Sequence, residues 1–195
     1  MAKVKSALEI ALEKADKIGV LSTEEKDTMK DEGKITEILR EFFLGKIDPN
    51  GLWQRFKGSK PALLRTAQMN LIDTLSIKSL PEELQLKKKG ILAIETLKEQ
   101  PNTVVIESSL QAIEVLRKEY DGMKEQIAAD LIKHIEGNPQ LRMKQVRTPD
   151  GRTMQVAVSV EEAVKAKLDE YLSQNEEQYL GEFSGIIEEL KMQVR

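Results

Sequence analysis

The sequence of 195 residues contains no cysteine and one histidine, and its aromatic side chains make up only 4%. Without thiols the chain has no disulfide scaffold, no thiolate metal site and no cysteine nucleophile. The single histidine, His134, also excludes the di-iron bundle proteins, which need a Glu-x-x-His pair on each of two helices. We therefore expect no metal site and no cofactor, and a structural or surface role for His134.

Long apolar runs are also missing. Uninterrupted aliphatic stretches such as Val104–Ile106 reach only three residues or so, whereas a membrane-spanning helix needs about 20. Acids at Glu9, Glu13 and Asp16 occupy the region where a secretory signal peptide needs an uncharged apolar segment. These features predict a cytoplasmic protein that does not enter a membrane.

Sequence signatures of catalysis are weak. Ser184 lies in Gly181-Glu-Phe-Ser-Gly185, which has the wrong spacing and a helical context for a nucleophile elbow. No glycine-rich phosphate loop is present. Acid pairs such as Glu95 and Glu99 are typical of solvated helix faces, where nothing raises a carboxyl pKa towards neutrality. We therefore expect a protein that is not an enzyme and has no catalytic residue.

Charge is abundant but unevenly distributed. Charged residues make up 32% of the chain, which has a formal net charge of −3. Residues 53–90 carry eight bases against three acids, and the segment 142–152 carries four bases against Asp150. From Val160 onwards, nine acids face four bases. Segments of opposite sign are expected to meet each other or a second copy, and binding of a polyanion is possible but less favoured.

Residues 1–100 predict an N-terminal domain of short helices. A first apolar stripe from Val4 to Ile18 is followed by Gly19, and Ser22 then opens a second helix that Gly33 could interrupt. Asp48-Pro49 and Pro81 are typical helix starts, and Ser59 and Pro61 restart the chain between them. The aromatic residues of this region suggest a compact core: Phe42, Phe43, Trp53 and Phe56.

Residues 101–195 predict a helix–hairpin–helix arm. Two stretches with heptad-like apolar spacing, about 103–136 and 160–194, flank two short alternating segments around Thr148-Pro-Asp-Gly151. The expected fold is therefore mainly α, with an N-terminal bundle of short helices followed by two long antiparallel coiled-coil-like helices joined by one β-hairpin. The inward stripe of this arm is predicted to include Ile113, Leu116, Tyr120, Tyr171, Asn175, Tyr179 and Phe183.

Two points about the arm stay open in the sequence. Asn175 is either a loop residue or a buried asparagine that sets helix register, so residues 173–178 need not be helical. The alternating hairpin residues are predicted to form one apolar interaction face: Leu141, Met143, Met154, Val156 and Val158. Because a lone two-stranded ribbon is marginal in water and has two open edges, we expect it to pack on a second copy of the chain.

Two resemblances add to this interpretation. Lys5-Ser-Ala-Leu-Glu-Ile-Ala-Leu-Glu-Lys14 and Leu21-Ser-Thr-Glu-Glu25 resemble the start of an uncharacterised prokaryotic family of helical proteins. This likeness covers about the first fifty residues and implies no activity. The helix–hairpin–helix of residues 102–195 resembles, in architecture alone, the β-type prefoldin subunit, which is a chaperone component.

Three functions follow as hypotheses. The favoured one is a non-catalytic interaction or scaffold protein, which self-associates as a dimer and binds an unknown protein through its arm. The first alternative is a holdase-like chaperone or assembly factor, which would grip clients with exposed apolar surface. The second is a nucleic-acid- or ribosome-associated factor that uses the basic segment and the hairpin.

Overall fold

A computed structural model describes residues 23–147 and 151–194 of the chain. Its helices are α1 (Thr23–Phe43), α2 (Pro49–Phe56), α3 (Pro61–Asp73), α4 (Pro81–Glu95), α5 (Thr103–Gly137) and α6 (Val160–Val194). A 3-10 turn (Pro139–Arg142) leads from α5 into the strands β1 (Met143–Arg147) and β2 (Thr153–Ala157). The predicted fold class is confirmed, because the described chain is mostly helical with one antiparallel hairpin between two long helices. The predicted first helix, Val4 to Ile18, and the cap at Ser22 lie outside the described residues.

Proline and aspartate set the starts of the short helices. Pro49, Pro61 and Pro81 each occupy the first position of a helix, where the missing N–H would have had no helical partner. The Asp48 side chain caps α2 as predicted, since its Oδ1 accepts a hydrogen bond of 2.7 Å from the Gly51 N–H. Helix α1 continues through Gly33 without the interruption that its sequence allowed.

The main hydrophobic core joins the short helices to the root of the arm. Phe42 and Phe56 are fully buried in it, whereas Phe43 is 41% exposed and Trp53 is only half-buried. The arm contributes residues from the beginning of α5 and the end of α6: Ile106, Leu110, Ile113, Ile187, Leu190 and Val194. This core therefore draws on both sides of residue 100, and the proposed division into domains 1–100 and 101–195 stays a prediction.

Helices α5 and α6 form an antiparallel pair that extends beyond the bundle. Each has 35 residues, which corresponds to about 52 Å at 1.5 Å per residue. Near its middle the pair contacts the bundle a second time, where Ile77 packs with Leu116 and Tyr120. The further part of the pair, which begins after Tyr120 and is about 25 Å long, has its own apolar cluster around Leu131 and Ile135.

The register of the hairpin corrects one prediction. Met143 pairs with Ala157, whereas Val146 pairs with Met154 and Lys144 pairs with Val156. Directly paired residues share a face of an antiparallel ribbon, so Met143 lies on the face opposite to Met154 and Val156. The prediction that a single apolar face is formed by Leu141, Met143, Met154, Val156 and Val158 is therefore wrong. The register places Met143 on the other face from Met154 and Val156.

Two helical glycines differ in their surroundings and provide a matched test of the core. A Cβ atom added at Gly90 would lie 2.9 Å from Cζ of Phe42 and 3.3 Å from Cδ2 of Leu52, while nothing lies within 4 Å of one added at Gly33. Glycine at position 90 therefore lets α4 approach α1 and α2 closely.

We expect Gly90→Ala to destabilise the protein, because overpacking a core costs about 1–3 kcal/mol and exceeds the helix-propensity gain of up to about 1 kcal/mol. Gly33→Ala should be neutral or stabilising by up to about 1 kcal/mol, since only the propensity term applies. Urea denaturation of both variants measures the difference. Equal stability of the two variants would show that the close approach at Gly90 carries no strain.

Candidate interaction site

One face of the hairpin presents apolar side chains to solvent. Val146, Met154 and Val156 are 43%, 55% and 43% exposed, and they share this face with Lys144. We call these four residues the ribbon face. Within the described residues the sheet contains β1 and β2 alone, so the outer edge of each strand has no strand beside it. Such a ribbon offers a partner both apolar contact and unused backbone hydrogen-bonding groups.

The hairpin is fastened to the arm at its base. Leu141 and Val158, both predicted for the interaction face, instead pack partly buried against the apolar cluster of the distal arm. The Arg142 side chain donates from Nε to the Val158 carbonyl at 2.8 Å, and the Val158 N–H donates to the Arg142 carbonyl at 2.9 Å. Ser159 then starts α6 by accepting a hydrogen bond of 3.1 Å from the Glu162 N–H. These contacts set the direction in which the ribbon leaves the arm.

The inward stripe of the arm is only partly as predicted. Ile113, Leu116 and Tyr120 are buried. Tyr179 and Phe183 pack against the cluster around Tyr120, and the Tyr120 and Tyr179 rings meet edge to face with centroids 5.7 Å apart. This portion of the predicted stripe lies between the helices and is not available to a partner in the described structure.

Tyr171 and Asn175 depart from the predicted stripe. Residues 173–178 are helical, and the exposed Asn175 donates from Nδ2 to the Tyr171 carbonyl at 2.8 Å. Tyr171 is 43% exposed, whereas its neighbour Leu172 is buried. The prediction that Tyr171 and Asn175 face inward is therefore wrong. Leu172 and Glu176, which are four residues apart on α6, occupy the inward positions instead.

Glu176 joins the arm to the bundle beside Tyr120, where the part of the arm that extends beyond the bundle begins. Its Oε1 accepts a hydrogen bond from the Tyr120 hydroxyl, and its Oε2 lies 2.9 Å from Nζ of Lys78. The hydrogen bonds from Tyr120 and Lys78 hold the pKa of Glu176 below its usual value. Burial, followed by the Glu176 carboxylate, raises the pKa of Tyr120, so the phenol stays protonated and continues to donate.

A buried network holds the beginning of α5 on the bundle. Glu95 is 1% exposed, and its Oε1 accepts a hydrogen bond of 2.7 Å from the Asn102 N–H. Its Oε2 lies 2.8 Å from Nε2 of Gln68 and 2.7 Å from Nζ of Lys98. Burial favours the protonated acid, but these donors together outweigh it and lower the pKa of Glu95.

Several bases of the predicted basic segment are neutralised within the fold. Arg55 pairs with Glu41 at 3.0 Å and Lys88 with Glu114 at 2.8 Å. Lys87 is buried and donates from Nζ to the Thr74 carbonyl at 2.6 Å as well as to Glu83. Contacts with the acidic segment from Val160 are made by Lys78, which pairs with Glu176, and by Lys144, which pairs with Glu162. Segments of opposite charge therefore meet each other at these points, which is one of the two outcomes that the charge pattern predicted.

His134, the histidine considered in the sequence, does not belong to the ribbon face. His134 is exposed and lines a cleft with Asp130, Leu131 and Tyr171. Among residues 23–147 and 151–194, no group of three or more histidine, aspartate or glutamate side chains could hold a metal ion. Over the same ranges, no helix is long and apolar enough to cross a membrane.

These features define a helical-bundle protein that carries a two-helix arm tipped by a β-hairpin. The chain belongs to a family of unknown function, DUF6657, whose model matches residues 52–195. An uncharacterised family was expected, although the match begins after the residues on which that resemblance was based. No curated protein and no solved structure matches the chain significantly, and no similarity to prefoldin is found.

The Glu176 junction generates a prediction with a defined pH dependence. Because the folded pKa of Glu176 is lowered, its contribution is present above the unfolded carboxyl pKa and is lost as pH falls through the folded value. Glu176→Gln keeps the shape but removes the charge, so we expect it to cost about 1 kcal/mol at neutral pH. The cost should shrink as pH falls below the usual carboxyl range towards the lowered pKa of Glu176, where the wild-type carboxyl also becomes protonated.

Urea denaturation at neutral pH and at a series of acidic pH values measures this difference. Glu119→Gln, at an exposed position of α5, is the matched control and should change stability by less than about 0.5 kcal/mol. A loss at Glu176 that does not depend on pH would contradict the assigned role of its charge.

Proposed function

We propose that this protein is a non-catalytic interaction or scaffold protein that self-associates and binds through its hairpin-tipped arm. The observation that carries the proposal is the ribbon face, with Val146, Met154 and Val156 each more than 40% exposed. The arm extends this face beyond the bundle, where a partner can approach it. Coiled-coil-like packing of α5 on α6 provides the support, and the expected location remains the cytoplasm.

The energetics favour covering the ribbon face. Fully burying one large aliphatic side chain contributes roughly 1.5–3 kcal/mol, and part of this gain remains available at each of the three exposed apolar positions. Hydrogen bonds to the open strand edges would add to it. A small interface of this kind suits a reversible dimer or a transient complex with another protein.

The carboxylates support a non-catalytic reading. Among the described residues, every carboxyl group with a clearly shifted pKa has that pKa lowered: Glu83, Glu95, Glu114, Glu161 and Glu176. A general acid at neutral pH needs a pKa near neutrality, which requires a shift in the opposite direction. These side chains are therefore suited to ion pairs and capping.

A holdase-like role is the second candidate, and the methionines of the hairpin favour it. Met143 and Met154 are 44% and 55% exposed on opposite faces of the ribbon. Flexible thioether side chains adapt to varied apolar partners. This role would require binding of unfolded clients and of an apolar dye, whereas a dedicated dimer surface would be covered and bind little dye. A nucleic-acid role is less favoured, because Lys78, Lys87 and Lys88 already form ion pairs with Glu176, Glu83 and Glu114.

The proposal predicts that Val156→Asp weakens self-association. A charge at this position would be buried in the complex without a partner, which costs several kcal/mol and raises the dimer dissociation constant at least about a hundredfold. Sedimentation velocity of the wild type and the variant at matched concentrations measures the change.

Val104→Asp is the matched control, since Val104 is 80% exposed near the root of α5 and far from the hairpin along the arm. It should leave association unchanged. A wild-type protein that is monomeric at tens of micromolar would refute the self-association part of the proposal.

A further inference from the structure

The two outer edges of the hairpin differ in charge. Strand β2, Thr153-Met-Gln-Val-Ala157, contains no charged residue and is exposed along its whole length. Strand β1 contains Lys144 and Arg147, and Nζ of Lys144 also lies 3.5 Å from Glu162 in the first turn of α6. Charged side chains, lysine above all, are a common device that keeps an edge strand from pairing with another chain. The edge of β1 is therefore protected in this way, whereas the edge of β2 is not.

The backbone of β2 alternates between groups that face β1 and groups that face outward. Directly opposed residues of an antiparallel pair exchange either two hydrogen bonds or none, in alternation along the strands. At the base of the hairpin the opposed residues Arg142 and Val158 are of the bonded kind, since the Val158 N–H donates to the Arg142 carbonyl at 2.9 Å. Val156 and then Met154 follow at intervals of two and face β1 in the same way. Gln155, which lies between them, therefore directs its N–H and C=O to the open edge.

The open edge of β2 is arranged symmetrically about Gln155. Thr153 and Ala157 lie two residues to either side and also direct their backbone groups outward. Two copies of β2 can therefore pair antiparallel about a twofold axis on which Gln155 opposes itself. Met154 then opposes Val156 of the second copy. Thr153 likewise opposes Ala157, and the outward groups of the two strands exchange about six backbone hydrogen bonds.

We propose that two copies of the chain join the β2 edges of their hairpins into one four-stranded antiparallel sheet. This inference rests on the proposed self-association and specifies the surface that carries it. Because the paired strands run in opposite directions, the two arms leave the sheet from opposite ends. The contact uses the same edge of both copies, so the dimer is closed. Pairing β1 of one copy with β2 of the next would instead leave free edges and generate an open filament.

The four-stranded sheet extends the ribbon face across the dimer. Directly opposed residues share a face of a sheet, so Met154 and Val156 of both copies form one apolar patch at its centre. On the opposite face, Gln145 lies beside Gln155 within each hairpin, and the dimer joins these residues of both copies into one row. Because a side-chain amide both donates and accepts, neighbouring glutamines in such a row can hydrogen-bond to one another.

The corresponding pairing of two β1 edges is less favourable. Strands that pair antiparallel about Gln145 would place Lys144 diagonally opposite Lys144 of the second copy, at about 7–8 Å. Arg147 would oppose the apolar Met143 in the same arrangement. Like charges within reach across a strand pair repel each other, and the edge of β2 carries no such charge. The distribution of charge between the strands therefore selects β2 as the contact.

A matched pair of proline variants tests which edge pairs. Gln155→Pro removes an outward N–H from β2, and Gln145→Pro removes the outward N–H directly opposite on β1. Neither N–H joins β1 to β2, and proline is tolerated where the N–H of an edge strand faces solvent. We expect Gln155→Pro to raise the dimer dissociation constant at least about tenfold, because both hydrogen bonds at the twofold axis are lost. Gln145→Pro should associate like the wild type.

Charge variants at the twofold axis test the register without proline. Gln155→Lys alone and Gln155→Glu alone each place like charges opposite each other, so each should raise the dimer dissociation constant at least about tenfold. An equimolar mixture of the two variants joins a base to an acid across the axis, and association should recover. Analytical ultracentrifugation of each variant and of the mixture gives the result, with circular dichroism to verify folding.

The outcomes separate this inference from the proposed function. Pairing through the β2 edge would be overturned if Gln155→Pro associated like the wild type, if Gln145→Pro weakened association equally, or if the mixture did not recover. If Val156→Asp still weakened the dimer in that case, self-association through the hairpin would stand and its contact would lie elsewhere. A monomeric wild type would overturn both proposals.

Discussion

The architecture depends on the hydrophobic contact between the root of the arm and the short helices. Leu190 and Val194 at the end of α6 are buried in the same core as Phe42 and Leu52 from the bundle. The contacts between two helices alone do not fix the direction of the arm relative to the bundle. Burial of its root in the bundle holds one end in place, and the far end can then present the hairpin at a defined position.

Polar contacts add direction to this apolar contact. Glu176 meets both Lys78 of the bundle and Tyr120 of the other long helix, while Glu95 holds the backbone where α5 begins. A carboxylate that accepts several defined hydrogen bonds tolerates less rotation than apolar packing alone. The sliding and rotation of α5 and α6 against the bundle are therefore restricted at two separate heights.

Much of the fold was predictable because it depends on local signals. Asp48-Pro49, Pro61 and Pro81 mark helix starts by chemistry that acts within one turn, and each is a helix start in the structure. The face of α6 was less predictable near its middle. Tyr171 and Leu172 are both apolar, and the sequence pattern did not indicate that Leu172 is the buried one or that the charged Glu176 turns inward to meet Lys78 of the bundle.

The hairpin shows the same limit in its register. The two strands were located from alternation, but the face on which each side chain lies depends on the number of residues in the turn. Arg147 pairs with Thr153, and a turn longer or shorter by one residue would move one strand's side chains to the other face. The Glu176 junction was missed altogether, because its partners Lys78 and Tyr120 lie 98 and 56 residues away in sequence.

The fastening at the hairpin base also changes the entropy of assembling the long helices. The Arg142–Val158 contact closes a separation of 16 residues, whereas the Ser109–Gln193 contact near the root closes one of 84. The entropic cost of closing a loop grows with the logarithm of its length. Bringing α5 and α6 together first at the root therefore costs about 1.5 kcal/mol more than bringing them together first at the hairpin. Once the hairpin has formed, α5 and α6 can pair one turn at a time, and each new contact lies beside a turn that is already paired. The ribbon that ends the arm therefore also divides one long loop closure into a series of short ones.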